Sequence, residues 1–363
     1  MAANIPDPTR ILSIQSHVVS GYVGNRSATF PLQLLGWDVD VTNTVQFSNH
    51  TGYGRWGGLR FDSSHLSDIF SSLDKNGLLR YSRMLTGYMP SASVVEVVLG
   101  LVKKLRSRQT GGEQDEEGGL VYLLDPVMGD MGRGMYVSPD VLPMYQAMLE
   151  YATIITPNQF EAQALTGMQI TDLDSLKHVL LKLHKKHKVP HVIITSVELP
   201  DADLERIGAQ RNMADGRPAM LQVGSSCEIE VRGGERQEPT LEVDELRIWS
   251  IQFPEVQGYF SGVGDMFAAL TLGRFHPETK IAADDLTPIA KASELAIASL
   301  QGILSNTCRV IDELERNLGG EEKEKDEVEV RVDRMRRREL RVVQSKKEIE
   351  SPTIVYRAKW ITA

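Results

Sequence analysis

The residues able to do chemistry gather around one stretch, Gly258-Tyr259-Phe260-Ser261-Gly262-Val263-Gly264-Asp265, which runs into the apolar sequence Met266 to Leu270. Gly262 and Gly264 flank a small residue and permit a turn in which consecutive N–H groups face one concave space. A helix starting there adds its unpaired amides and the positive end of its dipole. Such a nest suits an anion, above all a phosphoryl group that gains charge during transfer. Asp265, at its mouth, is placed to take a proton from an attacking hydroxyl. A tight loop with an aspartate N-cap would use the same letters, so the rest of the chain has to decide.

Other polar groups sit where apolar runs end. Ile11-Leu12-Ser13-Ile14 reads as a buried strand and leads to Ser16 and then Gly21-Tyr22-Val23-Gly24-Asn25. Leu120 to Leu124 reads as another and leads to Asp125-Pro126-Val127-Met128-Gly129-Asp130. Asp125 and Asp130 offer the oxygen ligands that a hard cation such as magnesium takes beside a nucleotide's phosphates, although Asx turns account for such sequences too. Thr153-Ile154-Ile155 precedes Thr156, Asn158 and Glu161. The last two have the N-cap and N3 spacing of a helix start, and a side chain reaching a nucleotide or its metal is the alternative. His191 to Ile194 ends at Thr195 and Ser196. In open α/β sheets ligands bind beyond the C-terminal ends of the strands. Ser16, Asp125, Thr156 with Asn158, and Thr195 with Ser196 are therefore expected along one sheet edge, beside the nest. The stretch Gln46 to Gly58 is polar, aromatic and glycine-rich without helical period. It predicts a mobile binding loop carrying His50, Thr51 and Tyr53.

Strand, polar turn and helix recur along the chain, which predicts a single α/β domain with a mostly parallel sheet and helices on both faces. Helices are expected from Ser91, over 173–183, over 265–275 and over 286–305. Residues 107–119 read as a solvated loop. Residues 199–240 read as an irregular insertion around a hairpin, with candidate strands at 221–223 and 228–231. The mixed-charge segment ending at Glu339 reads as exposed or disordered, and 340–343 and 353–356 as closing the domain. The chain has 363 residues and a formal charge of −9, which argues against a nucleic-acid footprint. Two cysteines, Cys227 and Cys308, make neither a disulfide framework nor a zinc spacing. No apolar run approaches the roughly 18–20 residues of a membrane span, and residues 1–10 hold no signal-peptide core. A cytoplasmic protein is expected, with the nucleus as a further possibility.

Leu12-Ser13-Ile14-Gln15-Ser16-His17-Val18, Gly21 to Arg26, Gln46-Phe47-Ser48-Asn49-His50-Thr51-Gly52-Tyr53 and Thr156-Pro157-Asn158-Gln159-Phe160-Glu161-Ala162 closely resemble the pyridoxal kinase family of the ribokinase-like superfamily. So do Asp125 to Asp130, Ile194-Thr195-Ser196 and the tail Leu340 to Lys347, which is similar to the eukaryotic form. The resemblance spans nearly the whole chain, and the Gln46–Tyr53 block is its most specific part. It implies a homodimer that uses ATP to phosphorylate the 5′-hydroxymethyl group of pyridoxal, pyridoxine and pyridoxamine. By match, Asp265 is the catalytic base. Ser16 and Thr51 contact the pyridine ring, with His50 and Tyr53 nearby, and Tyr88 and Tyr136 border the substrate and phosphates. Asn158, Glu161, Thr195 and Ser196 serve the nucleotide and its magnesium, together with the nest Gly262, Val263 and Gly264. Asp125, Thr156 and Thr195 match positions that help hold a monovalent cation, potassium or sodium, and Asp130 lies near the phosphates. The family pattern has Gly-Thr-Gly-Asp, so Val263 is a departure. The stretches 107–119, 200–240 and 319–339 look longer than usual. A hydroxymethylpyrimidine or sugar kinase of the same fold, and a non-catalytic pyridoxal phosphate binder, are the rival expectations.

Overall fold

The fold was obtained as a computed structural model that describes residues 7–109, 119–279, 285–317 and 327–361. The apolar runs do become strands, and several extend further than their apolar letters. The first half holds β1 (Asp7–Val18), α1 (Asn25–Leu34), β2 (Asp38–Phe47), β3 (Gly58–Arg60), α2 (Ser63–Lys75), β4 (Tyr81–Thr86) and α3 (Ala92–Gln109). Next come β5 (Val121–Leu124), the short pair β6 (Gly129–Asp130) and β7 (Gly134–Met135), α4 (Val141–Leu149), β8 (Ile154–Ile155), α5 (Gln159–Thr166) and α6 (Leu173–Lys185). Then follow β9 (His191–Ile194), α7 (Asp201–Arg206), β10 (Ala219–Ser226), the hairpin β11 (Val231–Arg232) and β12 (Glu235–Arg236), and β13 (Ile248–Pro254). The chain ends with α8 (Val263–Arg274), α9 (Pro288–Asn317), α10 (Glu327–Arg337), α11 (Lys346–Glu350) and β14 (Lys359–Trp360).

One ten-stranded sheet in the order β14-β13-β10-β9-β8-β5-β4-β1-β2-β3 carries the molecule. It is parallel from β9 through to β2 and antiparallel at both margins. Side chains on a strand alternate between faces, and a sheet covered on both sides needs apolar residues at successive positions. The central strands obey this. Leu12, Ile14, Met84, Tyr122, Leu124, Ile155, Val192 and Ile194 join the core packed by α2 to α6. Their neighbours Ile11, Leu85, Val121, Leu123, Ile154 and Ile193 join the opposite core, packed by α1, α8 and α9. Each fully buried side chain of this size contributes about 1.5–3 kcal/mol, which makes the central strands the rigid platform of the site.

Some expectations require correction. Ser107 to Gln109 are the last turn of α3, and 110–118 lie outside the described residues. The stretch 200–240 is more regular than expected, since β10 is a full strand of the main sheet and only β11–β12 form a hairpin apart from it. The strand expected at 228–231 is confined to Val231–Arg232. Helix α9 runs twelve residues past its expected end, to Asn317. Within the charged segment, 319–326 lie outside the described residues, but 327–337 form α10, with Met335 buried.

Candidate active site

The parallel strands end at one edge, where Ser16, Asp125, Asp130, Asn158, Glu161 and Asp265 gather. Gly262, in the left-handed conformation at φ +81°, caps the start of α8. A Cβ at that position would overlap the Tyr22 carbonyl oxygen, so glycine is required by close backbone approach as well as by φ. The Ser27 hydroxyl donates to the Gly262 carbonyl at 3.0 Å. Val263, Gly264 and Asp265 are then the first three residues of α8, where helix amides have no partner within the helix. A Cβ at Gly264 would meet nothing within 4 Å, and its φ is ordinary. The protein's own packing does not demand glycine there; a bulky anion lying against the amides would.

Asp265 accepts a hydrogen bond from the Gly24 N–H at 2.8 Å. Gly24 itself has φ +51°, and a Cβ on it would overlap Ser16, so the turn before α1 is pressed onto the end of β1. Ser16, Gly24 and Asp265 thus form one contiguous group. Burial raises the Asp265 carboxyl above its ordinary value, the Gly24 amide pulls it back, and the net shift is upward. Desolvation outweighs the pull of that amide. A raised carboxyl is a stronger base once ionised.

A second group of carboxylates faces this one. Asp125, at the end of β5, is buried, and its carboxyl is raised first by burial and then by the charges of Glu161 and Asp265. Glu161 is raised by burial against the pull of three backbone amides. Its Oε1 accepts from the Met128 N–H at 2.8 Å and from the Gly129 N–H at 3.4 Å, and its Oε2 accepts from the Asn158 N–H at 3.0 Å. Asn158 Oδ1 in turn accepts from the Glu161 N–H at 2.9 Å, completing a capping box at the start of α5. Asn158 Nδ2 donates to Gly129 O at 2.8 Å and to Asp130 Oδ1 at 3.4 Å. Capping and site-building are thus one arrangement: Glu161 braces the turn on which Asn158 holds Asp130. Tyr136 is half exposed, yet surrounding protein and then the charges of Glu161, Asp130, Asp125 and Asp265 keep it in the phenol form.

These carboxylates and hydroxyls form an all-oxygen donor set that fits hard cations. Among the described residues no three His, Cys, Asp or Glu side chains form a ready-made metal cage. That suits magnesium, which is commonly held by one or two carboxylates together with substrate phosphates. Thr156 Oγ1 is buried without a hydrogen-bond partner of good geometry, though it lies close enough to Asp125 to favour its ionised form. An orphaned buried oxygen beside a buried carboxylate is what a monovalent cation would satisfy. Thr195 stands at the end of β9, its N–H donating to the Pro157 carbonyl at 2.9 Å, with half-buried Ser196 beside it.

The Gln46–Gly58 loop lies across the other flank. Thr51 to Tyr53 form one 3-10 turn with Thr51 exposed. His50 is buried, its ring tilted against Tyr53 with centroids 4.8 Å apart. Tyr88, after β4, packs against Val18, Val45 and Phe47, and its carbonyl accepts from the Thr44 hydroxyl at 2.7 Å. Two groups were not anticipated. Ser261 Oγ lies 3.2 Å from His50 Nδ1. Glu339, from the charged segment, lies 2.8 Å from the Tyr53 hydroxyl and 3.3 Å from His50 Nε2. The only hint in the sequence is that Glu339 directly precedes the tail beginning at Leu340.

A nest of amides, a half-buried carboxylate beside it and a cluster of carboxylates and hydroxyls at the ends of parallel strands fit an α/β phosphotransferase of ribokinase-like fold. The family model Phosphomethylpyrimidine kinase matches residues 85–215. Pyridoxal kinase of Bos taurus is 36% identical over 357 residues, 96% of this chain and 97% of its own length. That of Arabidopsis thaliana is 34% identical over 356 residues, 97% of this chain and 95% of its own. Pyridoxal kinase from Leishmania donovani, solved in complex with ADP and pyridoxamine, superposes with a TM-score of 0.72 at 29% identity, covering 98% of this chain and 100% of its own. The chain belongs to the pyridoxal kinase family.

Proposed function

We propose that this protein transfers the γ-phosphoryl group of ATP to the 5′-hydroxymethyl group of pyridoxal, pyridoxine or pyridoxamine, with Asp265 as the base. The carrying observation is the position of Asp265: third residue of α8, half-buried, fixed by the Gly24 amide and directly after the glycine nest. Phosphoryl transfer passes through a loose transition state, so positioning and neutralisation of charge supply most of the catalysis. Asp265 orients the vitamer hydroxyl and accepts its proton late. The amides of Val263, Gly264 and Asp265 receive the transferring phosphoryl oxygens. If those contacts are to the backbone, Val263 in place of threonine costs little.

Ser16 and Thr51 hold the polar groups of the pyridine ring, with His50, Tyr53 and Tyr88 around it and Tyr136 at the phosphate side. Asn158, Thr195 and Ser196 face the nucleotide. Magnesium, held by Asp130 and the phosphates with Glu161 behind them, would neutralise the phosphate oxygens. Potassium or sodium would take Asp125, Thr156 and Thr195. The loop 46–58 excludes water from the acceptor. A homodimer is part of this reading and rests on family resemblance.

A hydroxymethylpyrimidine is the second reading, favoured by the family model over 85–215. The near-full-length relatives favour vitamin B6 instead. A substrate panel with magnesium and ATP decides between them. Wild-type protein should form pyridoxal 5′-phosphate, and Asp265→Asn should lose about 10²-fold or more, the scale of general-base catalysis. Equal turnover by the variant would move the base elsewhere. No turnover by wild type, with pyridoxal phosphate still bound, would favour a binding protein.

A further inference from the structure

Helix α10 and the residues after it cross the active-site loop. The Arg331 guanidinium donates from Nε to the Gly52 carbonyl at 2.8 Å, and Met335 lies against Gly52. Just beyond the helix, the Glu339 carboxylate takes three donors from two separate parts of the site. Its Oε1 faces the Tyr53 hydroxyl at 2.8 Å and His50 Nε2 at 3.3 Å, and its Oε2 accepts from the Tyr22 N–H at 3.1 Å. Only 12% of the Glu339 side chain and 9% of the His50 side chain are exposed, so this is an interior cluster and not a surface ion pair. Gly21, at φ +96°, makes room for it, since a Cβ there would overlap the carboxylate.

We propose that Glu339 is a positioning residue for phosphoryl transfer: it latches the vitamer-side loop to the turn that holds Asp265 and, through His50, to the residue that opens the phosphate nest. The geometry assigns each link. An ionised carboxylate only accepts, so His50 Nε2 must carry a proton. In the neutral ring Nδ1 is then an acceptor, and the Ser261 hydroxyl donates to it across 3.2 Å. Ser261 immediately precedes Gly262. On the other arm, Tyr22 N–H holds Glu339 while the Tyr22 carbonyl packs on Gly262, and two residues later Gly24 holds Asp265. One carboxylate therefore fixes the loop, the base and the nest relative to each other. Burial raises the Glu339 carboxyl, but the hydrogen bonds from His50, Tyr53 and the Tyr22 amide more than compensate, and its pKa lies below the ordinary value.

This inference rests on the kinase reading, and its test separates the two. Glu339→Gln and Tyr53→Phe would be assayed beside wild type for the KM and kcat of vitamer and ATP, and for ATP hydrolysis without vitamer. Loop order would be read independently, as the rate of tryptic cleavage after the exposed Arg55, followed by mass spectrometry. The expected result for Glu339→Gln is about a tenfold or greater fall in kcat/KM for the vitamer, the scale of one hydrogen bond to a charged group. KM for ATP should be little changed, ATP hydrolysis without vitamer should rise, and cleavage after Arg55 should be faster. Combining Glu339→Gln with Tyr53→Phe should cost less than the sum of the two, because both break the same latch. Wild-type rates and wild-type cleavage in Glu339→Gln would overturn the proposal, as would faster cleavage with unchanged kinetics. If Glu339→Gln does not fold, Tyr53→Phe carries the same measurements. A wild type inactive on all vitamers would overturn the kinase reading, while the cleavage rates would still decide whether the latch exists.

Discussion

At the scale of single residues, Gly262 and Gly264 look alike in sequence and differ in kind. Gly262→Ala forces a side chain into positive φ and onto the Tyr22 carbonyl, so it should destabilise the fold and remove activity together. Gly264→Ala places a methyl in open space at the second position of α8. It should leave melting unchanged or raise stability by up to about 1 kcal/mol, the helical preference for alanine. It should also weaken ATP binding, because the methyl occupies the mouth of the nest. Titration calorimetry beside a thermal melt separates the effects; undiminished ATP affinity would remove Gly264 from the phosphate site. Asp265 makes a pH prediction. Its folded-state carboxyl is raised, and the base must be ionised to act, so kcat/KM should fall as pH drops through a value above the carboxylate norm. The residual activity of Asp265→Asn should lack that limb. The sign for stability is opposite. A carboxyl raised on folding binds its proton more tightly in the native state, so its contribution declines as pH rises from the unfolded to the folded value. Asp265→Asn should therefore melt no lower than wild type at neutral pH while losing turnover.

At the scale of elements, the turn from β5 into the β6–β7 pair is held by the first turn of α5, not by its own hydrogen bonds alone. Glu161→Gln keeps one acceptor for Met128 and Gly129 but presents an amide N–H₂ to the Asn158 N–H on the other side. It should cost about 1–3 kcal/mol, the penalty of leaving buried donors unpaired. Turnover should fall as well, because Asp130 loses its brace. A urea melt and a magnesium titration check both, and unchanged values in the two would reduce Glu161 to a dispensable cap. Elements of this kind show what was legible. The capping box could be read from Asn158 and Glu161, and the central strands from short apolar runs, because burial on both faces leaves no room for polar letters. β10 is hard to read because Gln222, Gly224 and Ser225 are polar or small but buried, with Gly224 and Ser225 paired on both sides and Gly224 making room for Trp249. β3 is exposed at all three residues and exists only by pairing with β2. The segment holding α10 reads as exposed or disordered; it is largely exposed, with Met335 its one buried side chain, and the contact that ties it in, Arg331 to Gly52, lies nearly three hundred residues away in sequence. Local pattern cannot report such a contact.

At the scale of the whole molecule, the C-terminal stretch does two jobs that are usually separate. After Glu339 the chain turns inward. Leu340 (1% exposed), Val342 and Ile349 (both 0%) fill the core around α9, and β14 pairs with β13 to close the sheet margin. Its backbone is tied in as well: the Ala358 N–H donates to Glu294 Oε1 at 2.6 Å, and the Ser299 hydroxyl donates to the Glu348 carbonyl at 2.6 Å. Three such side chains are together worth about 5–9 kcal/mol by burial, comparable with the roughly 5–15 kcal/mol that holds a whole domain together. A chain ending after Glu339 should therefore fail to accumulate as folded, monodisperse protein, even though it keeps every residue named in the site. A soluble, cooperatively melting truncation would show that the tail is only draped over the core. A chain ending after Ser351 is the finer test. It retains Leu340, Val342 and Ile349, loses Ala358 and β14, and should fold with a lowered melting temperature while keeping the Glu339 contacts to His50 and Tyr53. Vitamer kinetics close to wild type in that variant would place the latch and the closing strand on separate supports, as the packing of Leu340 and Val342 directly behind Glu339 implies.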